Sequence, residues 1–118
     1  KYNPAVLIKG GHAVFNDTMT TIIKEGKDDK LIEYSTDILV CPGAEPVYFE
    51  SKRIDNPNTH GTGCTLSSAI ASCLAKGLSL EVAVCEAKKY ITGAINAGLN
   101  LGKGRGPLNH LYNLENLQ

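Results

Sequence analysis

Two glycines, two threonines, a histidine and a cysteine stand together in THGTGC, residues 59 to 64, just where the sequence turns into an alanine-rich apolar run. If a helix begins there, its first ~4 backbone N–H groups lack intrahelical acceptors and lie at the positive end of the helix dipole. Such a place binds anions. Gly61 and Gly63 would let the backbone approach an anion with no Cβ in the way. A thiol in the first turn of a helix feels the same field and ionises more readily than a free one. Cys64 is then placed to take up a proton.

That combination suits phosphoryl transfer, in which a protein mostly positions the reactants and stabilises charge on the moving group. Amides would hold the phosphoryl oxygens while a base accepts the proton of an attacking alcohol. Cys64 is the candidate base. A P-loop would carry a lysine after its second glycine, and none stands here, so a side-chain cation has to come from Lys9 or from Lys103 and Arg105 of GKGRG. The same residues also have an ordinary reading. A glycine pair before a helix is often only a tight connection, and a helical cysteine more often packs than reacts. His60, beside a glycine turn, more often hydrogen-bonds backbone than exchanges protons. Lys9 at a strand end is by default a solvated charge, and residues 103 to 105 a loop. Spacing alone favours the ordinary reading.

The elements that would position these residues follow from periodicity and punctuation. AVLIKGGH reads as a buried strand, Ala5 to Lys9, running into a glycine loop. In residues 13 to 36, TMTTIIKEG has strand composition, GKDDK is a turn and LIEYST a returning strand. DILVC, PGAE and PVYFESKRI make a further strand, turn and strand, with Pro42 and Gly43 in the turn and Val47 and Phe49 on one face. From Cys64 onward, Leu66, Ala69, Ile70, Cys73 and Leu74 recur at helical intervals and predict one buried stripe, ending at Gly77 in a left-handed C′ position. Ser79 then offers an N-cap, with Glu81 in the first turn. Leu80, Ala83, Ala87, Tyr90 or Ile91, Ala94 and Ile95 extend a second helix to about Ala97. A glycine-rich basic loop and a short apolar segment close the chain.

Composition narrows the function classes. The 118 residues are 42% hydrophobic, and 12 basic side chains balance 12 acidic ones, the profile of an ordinary globular domain with no bulk electrostatic case for nucleic acid or an anionic membrane. No apolar run reaches the ~20 residues that span a bilayer. Cysteines 41, 64, 73 and 85 form no CxxC pair, so a zinc site is a poor reading and no metal ligand is assigned. Reduced thiols in a soluble, cytoplasmic protein are the expectation.

KRIDNPNTHGTGCTLSSAIASCLAKGLSLEVAVCEAKKYITGAI resembles the signature region of the hydroxymethylpyrimidine and phosphomethylpyrimidine kinases of thiamine biosynthesis, members of the ribokinase-like superfamily. VLIKGGH and GKGRGPLNH resemble that family's flanking segments in the same order. Residues 13 to 35 resemble nothing in it and read as an insertion. The resemblance implies an α/β chain, the C-terminal portion of a three-layer α/β/α fold, with strands in the first half and two main helices in the second. It implies that Gly61, Thr62, Gly63 and Cys64 form an anion hole, that Cys64 is the catalytic base, and that Lys9 and Thr59 meet ATP. The reaction implied is transfer of the γ-phosphoryl group of ATP, with magnesium, to the hydroxymethyl group or the phosphate of a 4-amino-2-methylpyrimidine. Pyridoxal or pyridoxine is the alternative acceptor within the same superfamily. Outside kinase chemistry, a non-catalytic nucleotide-binding module ranks next, and an interaction domain that docks through its helices ranks last.

Family members are considerably longer, and nothing here matches their N-terminal half. The expectation is therefore a single partial domain, 1 to 118, the C-terminal piece of a kinase. Ribokinase-like folds have a mainly parallel sheet covered on both faces. Cutting it should leave apolar surface and a free edge, so self-association is expected, with negligible activity in the isolated piece.

Overall fold

A computed structural model describes residues 3–10, 34–52, 54, 61–99, 101, 103 and 106–114. The chain divides into two compact units, Lys1–Arg53 and Ile54–Gln118.

The first unit is a three-stranded sheet in the order β1 (Val6–Ile8), β2 (Tyr34–Val40), β3 (Val47–Lys52). Both pairings are antiparallel, Ile8 facing Ile38 and Ile38 facing Tyr48. That departs from the parallel sheet the resemblance implies. For β2 and β3 the cause is the length of the connection, since parallel neighbours need a crossover of about a dozen residues or more. Their turn has the chemistry that Pro42 and Gly43 predict. The Ala44 N–H donates to the Cys41 carbonyl at 3.2 Å, and Gly43 takes φ +71° at the third position, as a type II turn requires.

β2 also corrects a boundary. Tyr34 to Thr36, read from sequence as the end of a separate returning strand, run without a break into DILV. No turn residue separates the two stretches, and Asp37 between them is buried rather than marking a surface bend. The rest of that predicted hairpin, and residues 13 to 33 of the predicted insertion, lie outside the described residues. Alternation sorts the side chains. Leu7 and Leu39 share one face with Asp37 and Phe49, while Val6, Ile8, Val40 and Tyr48 are exposed on the other.

The second unit is built on two helices, α1 (Thr62–Ala75) and α2 (Leu80–Ala97). α1 ends as its glycine predicts. Gly77, at φ +88°, donates its N–H to Leu74 O at 2.9 Å and Leu78 donates to Cys73 O at 3.2 Å, a Schellman pair that satisfies two of the last carbonyls. Two residues later the Ser79 side chain accepts from the Val82 amide at 3.4 Å and starts α2, with Glu81 in its first turn. The short connection turns α2 back onto α1, and Ala83, Val84, Ala87, Ile91 and Ala94 form its buried face. The stripe predicted on α1 is buried only at Leu66. Ala69, Ile70 and Cys73 are half-covered and Leu74 is exposed. Periodicity fixes which residues share a face, not what covers it.

Residues 106–114 return against α2. Leu108 and Asn109 are buried, and the Asn109 amide donates to Ala94 O at 3.3 Å, one of the carbonyls left without a partner at the helix end. The Tyr90 hydroxyl donates to His110 O at 2.8 Å, and the Tyr90 and Tyr112 rings lie 5.8 Å apart. Gly93 is required by this closure, because a Cβ there would enter the Tyr112 ring. Among the described residues no helix is long and apolar enough to cross a membrane.

Candidate active site

The start of α1 is built by Gly61. It takes φ +82°, ψ 5°, a left-handed conformation that costs an L-residue energy, and having no side chain it leaves the first turn uncapped. Its carbonyl accepts from the Thr65 amide at 2.9 Å and closes the first turn. The amides of Gly63 and Cys64 precede that bond and so lie beyond the intrahelical ladder. No acidic side chain occupies the first turn. The Cys64 thiol is exposed there, and all four cysteines are free. Among the described residues the helix start therefore combines amides beyond the intrahelical ladder, a first turn without acidic residues and an accessible sulfur. Thr59 and His60 lie outside the described residues.

From Cys64 a groove of about 680 Å³ runs along α1 past Ser68 and Ser72, walled opposite by Tyr90 and His110. Small side chains keep the α1 wall low. The serine hydroxyls are partly committed, Ser72 donating to Ser68 O at 2.9 Å and Ser67 to Gly63 O at 3.0 Å. On the α2 side, Glu86 accepts from Lys89 at 2.7 Å, which holds that ammonium above its ordinary pKa by hydrogen bond and by charge. Both groups are exposed, so salt screens the pair.

Lys9 lies in the first unit. Its ammonium meets Asp37 Oδ2 at 2.5 Å, while the Gly10 amide donates to Asp37 Oδ1 at 3.0 Å. A Cβ at Gly10 would run into the Thr36 carbonyl, so glycine is needed for β1 to pass β2 this closely. Asp37 is fully buried, whereas the Lys9 side chain is 46% exposed.

Gly61, Thr62, Gly63 and Cys64 are thus brought together at one helix start, and Lys9 is paired in the other unit. Lys103 is exposed in the C-terminal loop, and Arg105 lies outside the described residues. Among the described residues no group of three His, Cys, Asp or Glu is placed to hold a metal ion. Sequence reasoning missed Asp37, though a carboxylate heading the apolar run DILV is a signal that it must be paired. It also missed His110 as a groove wall, which no local pattern announces.

The family model for phosphomethylpyrimidine kinase matches residues 1–109. A hydroxymethylpyrimidine/phosphomethylpyrimidine kinase of Streptomyces coelicolor is 56% identical over 72 residues, which are 61% of this chain and 27% of that protein. The thiamine biosynthesis bifunctional protein ThiED of Geobacter sulfurreducens is 43% identical over 113 residues, covering 96% of this chain and 19% of its own. The chain therefore spans less than a third of the length of these relatives. Among solved structures, an ADP complex of Bacillus subtilis pyridoxal kinase matches with TM-score 0.64 and 38% identity, covering 70% of this chain and 31% of that one.

Proposed function

The chain belongs to the phosphomethylpyrimidine kinase family, and from that premise we propose that it supplies the phosphoryl-transfer end of an ATP-dependent kinase acting on hydroxymethylpyrimidine or its monophosphate in thiamine biosynthesis. Its α/β fold is that of the ribokinase-like kinases. The observation that carries the proposal is the uncapped, acid-free start of α1 with an exposed thiol in its first turn.

In this reading the amides of Gly61 to Cys64 hold the oxygens of the transferred group, and their dipole opposes the charge that builds on it. The acceptor oxygen forms its bond to the γ-phosphorus as the bond from that phosphorus to the bridging oxygen breaks, and ADP leaves with the electron pair. The proton of a hydroxymethyl acceptor passes to Cys64 Sγ. Lys9 and Thr59 are each read as contacts of ATP, and the groove along α1 is roomy enough for the body of a nucleotide. That the matched pyridoxal kinase is an ADP complex supports a nucleotide site. Magnesium would need carboxylates beyond the described residues, which offer it no cluster.

The test is Cys64→Ala in the full-length protein that carries this sequence. Loss of proton transfer should lower kcat by about 10²- to 10⁴-fold and leave binding of Mg-ATP nearly unchanged. Undiminished turnover would remove Cys64 from the chemistry and return the helix start to a binding role. Pyridoxal is a second candidate acceptor, since a solved structure that this chain resembles is a pyridoxal kinase. Comparing kcat/KM for hydroxymethylpyrimidine and pyridoxal decides between them.

A further inference from the structure

Asp37 is a fully buried carboxylate whose two oxygens are turned to consecutive residues, Oδ2 to the Lys9 ammonium and Oδ1 to the Gly10 amide. Continuing the β1–β2 register past Ile8 and Ile38 sets Lys9 opposite Asp37 and Gly10 opposite Thr36. The contact is therefore fixed by the sheet itself. A buried carboxylate must be paired, but pairing alone does not require that its partner keep a face to solvent. Lys9 does, with nearly half of its side chain exposed. An ammonium has three donors, and Asp37 accounts for one of them.

We propose that Asp37 is a positioning residue, which clamps the Lys9 ammonium and the glycine turn after β1 so that the cation is pre-set for a nucleotide phosphate. The proposal rests on the reading of Lys9 as the phosphate-binding cation. A lysine on a free four-carbon stem must give up rotamer freedom each time it meets an anion. A lysine already tethered through one donor loses less, which is affinity gained by pre-organisation. Asp37 touches neither the acceptor nor the transferred group in this scheme, so its removal should act on nucleotide binding and not on the chemical step.

Asp37→Asn separates the two halves of the clamp. The amide oxygen can still accept from Gly10, while the amide nitrogen opposes the lysine donors and the charge is gone. In the full-length protein this variant should raise KM for Mg-ATP by about tenfold, the scale of one lost hydrogen bond to a charged group, with kcat within about twofold. Lys9→Gln, which keeps a donor for Asp37, should raise KM by at least as much. Adding Asp37→Asn to Lys9→Gln should then change KM little further, because the cation to be positioned is already absent. If Lys9→Gln leaves nucleotide binding untouched, the reading of Lys9 fails and the positioning role falls with it. If Lys9→Gln weakens binding but Asp37→Asn does not, or weakens it equally in both backgrounds, the positioning role alone is overturned. Should Asp37→Asn not fold, Asp37→Glu takes its place: it keeps the charge, cannot hold both partners at their present distances, and is read by the same split of KM from kcat.

Discussion

The phosphoryl site proposed at Gly61 to Cys64 asks little of side chains. The amides are furnished by the backbone, and the residue types matter because of what they leave out: no Cβ at a left-handed position, no capping oxygen, no carboxylate in the first turn. Gly61→Ala tests the first of these. A Cβ there would meet nothing within 4 Å, so the cost is conformational only, about 1–2 kcal/mol. Urea unfolding should show a lower midpoint with the slope unchanged. An unchanged or higher midpoint would contradict the left-handed start of α1. THGTGC was legible as a candidate site because glycine spacing and a helix start are local features. The Lys9 partner was not, because Asp37 lies 28 positions away and is brought in only by strand pairing.

At the scale of elements, α1 and α2 are bounded by signals that act within a few residues, and those signals carry measurable energy. Ser79→Ala removes the oxygen that accepts from Val82 and should cost about 1 kcal/mol in the stability of the second unit. Hydrogen exchange of the first α2 amides would report it as faster opening, and no change there would discount the cap. The closure of residues 106–114 on α2 depends on a different device, the missing side chain of Gly93 beneath Tyr112. Gly93→Ala should destabilise by about 1–3 kcal/mol through overpacking. Most of that loss should disappear in a Tyr112→Ala background, where the ring is gone, since residues in direct contact are not additive. Full additivity of the two changes would mean that the ring does not sit where a Cβ would be. Because this segment brings His110 to the groove, its docking shapes the candidate site as well as stability.

For the whole molecule the informative surface is the sheet face that carries Val6, Ile8, Val40 and Tyr48, each exposed by more than a third. Apolar residues gathered on one face mark surface meant to be covered, and the relatives are more than three times as long as the stretch they share with this chain. The isolated 118-residue chain is predicted to self-associate through this face. Sedimentation velocity should show mass rising with concentration, and replacing Val6 and Ile8 together by Thr should reduce it. A monomer at every concentration would refute the idea. The isolated chain is also predicted to turn over pyrimidine substrate negligibly, and a rate like that of a full-length kinase would show that the remaining length of the relatives is dispensable for catalysis.

By itself the sequence determined both helices to within two residues at each end, the turn at Pro42 and Gly43, and the place where a thiol meets the head of a helix. Each of these is governed by residues within about one turn of chain. Tertiary structure alone decided that β1 pairs antiparallel with β2, that the stripe on α1 is fully buried only at Leu66, and that a carboxylate in β2 holds Lys9. Those outcomes depend on which segments meet across long stretches of chain, and contacts of that kind leave no periodic mark on the residues that make them.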